Sequence, residues 1–116
     1  MDSLRILNTG DWRLSSPCKG IAYYPENLAP ALATSTQASI ERLIDFAIGD
    51  FVDVMVVGGN TIDPSLAGPA DFAFLLRQLK RLEQAQIPVI WNWSWLDQRN
   101  QWPRCFNWPS NVRQII

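Results

Sequence analysis

The sequence predicts an α/β fold with a mainly parallel sheet flanked by helices. Three observations carry this reading. Short runs rich in β-branched residues alternate with two longer amphipathic runs, and the run Val52 to Val57 is apolar on both parities apart from Asp53. The first two strand-like runs also end in small or turn-forming residues, Thr9-Gly10-Asp11 and Gly58-Gly59-Asn60. A strand that is apolar on both parities suits a sheet covered on both faces, and strands joined by helices imply right-handed crossovers.

Leu4-Arg5-Ile6-Leu7-Asn8 reads as the first strand. A loop with Pro17, Gly20 and Pro25 follows, then a helix from about Pro30 to Ile48, in which Ile40, Leu43, Ile44 and Ala47 recur at one-face spacing. Val52 to Val57 is the second strand. From about Pro69 to Gln86 the helical period returns, with Phe72, Leu75, Leu76, Leu79 and Leu82 on one side and Arg77, Lys80, Arg81 and Glu83 on the other. Pro69 suits a first helical turn. Pro88 opens a third strand over Val89-Ile90-Trp91-Asn92-Trp93, and a loop rich in Trp, Asn and Pro leads to a short last strand from Val112 to Ile116.

The length of 116 residues, with no visible linker or repeat, makes 1–116 a single unit with one core. Ten Lys plus Arg balance eleven Asp plus Glu, so no bulk charge draws the chain to a polyanion, and nucleic acid is not an expected partner. Two cysteines, Cys18 and Cys105, without a Cys-x-x-Cys spacing, argue against a disulfide scaffold or a zinc site and point to a reducing, cytoplasmic setting. No apolar run approaches the ~20 residues of a membrane span. The chain contains no histidine, which removes the usual proton shuttle near neutral pH and a common metal ligand.

The carboxyl edge of a parallel sheet is where doubly wound folds place their sites. Asp11, Asn60 and the segment Ser94-Trp95-Leu96-Asp97 all fall there. With these residues, the opening Leu4-Arg5-Ile6-Leu7-Asn8-Thr9-Gly10-Asp11-Trp12-Arg13-Leu14 resembles the calcineurin-like metallophosphoesterases, and most closely the N-terminal part of the SbcD-like bacterial DNA repair exonucleases. Ser16-Pro17-Cys18-Lys19-Gly20, the helix Ser39 to Ile48, Val52-Asp53, Leu76 to Leu82 and Trp108-Pro109-Ser110-Asn111-Val112 extend the resemblance over essentially the whole chain. It implies the N-terminal half of an α/β/β/α sandwich, a truncated domain holding only the first of two sheets. It also implies two divalent metals such as Mn, held by Asp-x-His, Gly-Asp-x-x-Asp and Gly-Asn-His-Asp motifs and by two later histidine-bearing motifs.

Each of the three motifs departs from that pattern. Arg13 stands in the histidine place of the first, beside a retained Asp11. Asn60 replaces the metal-bridging aspartate of the second, Gly59-Asn60-Thr61-Ile62-Asp63, and the third reads Ser94-Trp95-Leu96-Asp97, keeping only its last acid. A shared carboxylate is what makes two close dications tolerable, and a fixed guanidinium opposes them. The expectation is therefore no catalytic residue, no metal and no cofactor, with Asp11, Arg13, Asn60, Trp95 and Leu96 vestigial. Asp11 is expected to pair with Arg13, Asp63 to cap a turn before Pro64, and Asp97 to close the loop after the third strand. Arg13 with Lys19 forms a candidate anion site. Trp91, Trp93 and Trp95, sharing one strand face, together with Trp102, are the expected interface. The functional expectation is an inactive structural or interaction module, a homodimer or a partner of another protein. The alternative is a portion of a metal-dependent nuclease or phosphoesterase that hydrolyses phosphodiesters only with a C-terminal portion.

Overall fold

The computed structural model describes residues 3–14 and 28–115, without the side chains of 29, 30, 32 and 33. Cys18, Lys19 and the Ser16 to Gly20 stretch lie outside the described residues. The elements run β1 (Ile6–Thr9), α1 (Ala29–Gly49), β2 (Val54–Val57), α2 (Pro69–Gln84), β3 (Val89–Asn92), a 3₁₀ turn (Arg99–Gln101) and β4 (Val112–Ile115). All four strands are parallel and their spatial order follows the chain, β1-β2-β3-β4. With right-handed crossovers that order puts both helices on one face, where α1 and α2 touch.

Parity decides what each strand contributes. Met55 and Val57 of β2 and Val89 and Trp91 of β3 are buried under the helices, against Ile44, Ala47, Leu75, Leu79 and Leu82. Val54, Val56, Ile90 and Asn92, on the opposite parity, are only half-buried. Of the run Val52 to Val57, read as covered on both faces, the helices cover one face, and on the other Val54 and Val56 are half-buried. Val52 and Asp53 precede the strand, because the Asp53 carboxylate turns back to accept the Arg5 N–H at 2.8 Å.

Local chemistry sets the helix ends. Gly68 caps α2, Pro69 follows in the first turn, and the Asp71 carboxylate accepts the Gly68 N–H at 2.9 Å, filling one of the donors a helix start leaves open. The helix stops at Gln84 rather than Gln86, since Gln86 takes a left-handed φ of 60° and its N–H closes on the Glu83 carbonyl. Glu83 then ties α2 to the approach of β4, accepting the Ser110 hydroxyl at 2.8 Å and the Ser110 N–H at 2.7 Å. These bonds to Ser110 hold the Glu83 carboxyl below its ordinary value of 4.5. Folding therefore favours the ionised form. The contribution is complete above the unfolded value and fades as pH drops through the lower folded value. Glu83→Gln is expected to lower the melting temperature slightly near neutral pH and to flatten its acid limb below about pH 4.5, where variant and wild type converge; an unaltered acid limb in the variant would remove this role.

The tryptophans sit elsewhere than the strand pattern suggests. Trp91 is 0% exposed and lies on the helix-covered face, so it is core and not interface. Around it gather Trp12 at 6.5 Å between ring centroids, Trp93 at 6.1 Å, Trp102 at 6.0 Å and Trp108 at 5.1 Å. Trp102 stacks on Trp108, while most other pairs meet edge to face, the geometry ring quadrupoles favour. The strand ends at Asn92, so Trp93 leaves the sheet and closes over this cluster, and Trp102 is also buried. Of the four expected interface residues only Trp95, 81% exposed, faces solvent freely.

Candidate functional site

Three loops meet at the carboxyl edge of the sheet. The stretch after β1 lies alongside the stretch after β2: Asp11 N–H donates to the Gly59 carbonyl at 2.8 Å, Arg13 N–H to Asn60 at 2.9 Å and Leu14 N–H to Thr61 at 2.8 Å. Their closeness needs glycine. A side chain at Gly10 would bring its Cβ to 3.1 Å from the Gly58 nitrogen, and one at Gly59 to 3.1 Å from the Ser94 Cβ. Asp11, Arg13, Asn60 and Gly59 all have positive φ, 54°, 48°, 54° and 102°. Left-handed backbone suits Gly and Asn but is strained for Arg, so these loops hold a costly shape by their mutual hydrogen bonds.

Asp97 is the anchor of this edge. Fully buried, its Oδ1 accepts the Thr61 N–H at 2.7 Å, the Thr61 hydroxyl at 2.9 Å and the Ile62 N–H at 3.3 Å. Its Oδ2 accepts the Ser94 N–H at 2.9 Å and the Asn60 N–H at 3.2 Å. One carboxylate thus fastens the loop after β2 to the loop after β3. Closing its own loop matches the sequence reading. Holding the second loop as well was not legible, because those partners lie 35 to 37 positions away.

The remaining residues are engaged with each other. Arg13 Nε donates to Asp11 Oδ1 at 2.8 Å, as expected from the sequence, with both side chains more than half exposed. At that exposure the pair contributes about 0 to 1 kcal/mol; its consequence is the occupation of the Asp11 carboxylate by a cation. Asn60 Oδ1 lies 2.6 Å from the Ser94 hydroxyl, which is also 2.9 Å from Asp97 Oδ2, so one hydroxyl proton serves two acceptors. Ser94 is the residue whose part the sequence did not disclose. Asp63 accepts the Ser65 N–H at 2.9 Å and the Ser65 hydroxyl at 2.6 Å, the turn cap expected of it. Trp95 projects outward and Leu96 is buried, neither offering a hard-metal donor.

The donor set at this edge does not fit a pair of divalent ions. Asp11 has a guanidinium on it, Asn60 presents an uncharged amide bound to Ser94, and Asp97 spends its oxygens on backbone N–H groups. Among the described residues no group of three or more His, Cys, Asp or Glu is placed to hold a metal ion. Arg13 has an internal counterion, and Lys19, its expected companion toward an anion, lies outside the described residues. Nor is any helix among the described residues long and apolar enough to cross a membrane.

No family model matches the chain. It is similar to an uncharacterized metallophosphoesterase, YhaO, of Bacillus subtilis (strain 168), at 29% identity over 112 residues. The match takes in 97% of this chain, which spans 28% of the length of that relative. With four parallel strands, two helices on one face and three polar loops at the carboxyl edge, the fold is compatible with the N-terminal half of a metallophosphoesterase domain. Sequence similarity and fold together support a metallophosphoesterase relation for this chain.

Proposed function

We propose that the chain is a catalytically inactive metallophosphoesterase-like module, working by association rather than by hydrolysis. One observation carries this reading: the carboxylate and amide at the strand ends where metal ligands belong are bound to Arg13 and Ser94. Without a metal-lowered water pKa, none of the described residues at this edge supplies a strong nucleophile near neutral pH. The finer likeness to SbcD-like DNA repair exonucleases and a cytoplasmic setting belong to the same proposal.

Calorimetric titration with Mn²⁺ is expected to give no stoichiometric heat, and hydrolysis of bis-nitrophenyl phosphate or linear DNA is expected to stay at background. A stoichiometric, micromolar Mn²⁺ site that Asp11→Ala abolishes, accompanied by turnover, would overturn the reading. The half-buried sheet face that the two helices do not cover, in a chain spanning 28% of the length of its relative, favours a second one. In it the chain joins a C-terminal portion bearing the histidine motifs to make a working phosphoesterase. Mn²⁺-dependent hydrolysis that needs both pieces would establish that alternative.

A further inference from the structure

We draw no further inference here: the strongest candidate, the apolar cavity of about 450 Å³ between the start of α2 and the loop after β3, lined by Phe72, Leu76, Cys105 and Phe106 among others, carries nothing because nothing in the structure shows what covers it.

Discussion

Asp97→Ala is expected to cost the fold about 3 to 5 kcal/mol, as other losses of a buried charged hydrogen-bond partner do. The donors left behind set this cost. Thr61, Ile62, Ser94 and Asn60 each aim a backbone N–H at this carboxylate, and the Thr61 hydroxyl adds another. A buried donor without an acceptor costs roughly 1 to 3 kcal/mol. Against a total stability of about 5 to 15 kcal/mol, the variant is marginal or unfolded at 37 °C. Asp97→Asn should fall between, because one oxygen can still serve Thr61 and Ile62 while the new amide turns N–H against the N–H groups of Ser94 and Asn60. Urea titration measures both. A loss below ~1 kcal/mol for Asp97→Ala would mean that water satisfies these donors and that the carboxylate does not hold the loops together.

The second large effect is a gain. Arg13→His combined with Asn60→Asp removes the cation from Asp11 and supplies imidazole and carboxylate donors at positions where the backbone already carries the left-handed geometry described above. The hydrogen bonds from Asp11 and Arg13 to Gly59 and Asn60 keep the two positions on adjoining loops. Expected is a stoichiometric Mn²⁺ site of micromolar affinity, at least about 100-fold tighter than any in the wild type, since outer-shell changes alone are worth 10 to 100-fold. The apo variant should be less stable than wild type, because residue 60 would become a second carboxylate beside Ser94 and Asp97. Mn²⁺ should restore the melting temperature, as a ligand selective for the folded state does, and Asp11→Ala in the same background should erase that restoration. Identical melts with and without Mn²⁺ would show that the loops no longer form a metal cradle.

What could be read in advance follows from the range of the forces involved. Strand and helix positions came from local periodicity and turn chemistry, so β1, α1, β2, α2, β3 and β4 fall near the expected places, with ends shifted where Asp53 and Gln86 make bonds of their own. The Asp11–Arg13 pair and the Asp63 turn span two residues each and were legible for the same reason. Which parity of a strand meets the helices is not a local property. Alternation shows that Trp91 and Trp93 share a parity, but only the docking of α1 and α2 decides that this parity is the covered one. The same blindness hid the bond between Ser94 and Asn60, whose partners are 34 positions apart.

The tryptophan arrangement has an optical consequence. Trp12, Trp91, Trp93, Trp102 and Trp108 stand at centroid distances where excitation hops among indoles, while Trp95 protrudes into solvent. Emission from the cluster is depolarised by that hopping and shielded from collisional quenchers. Trp95 is the indole most open to iodide, and it sits two residues from the buried Asp97 carboxylate. The red-edge, quenchable fraction of the fluorescence is thus a built-in reporter of the loop after β3, readable without any label while the shielded fraction follows the core.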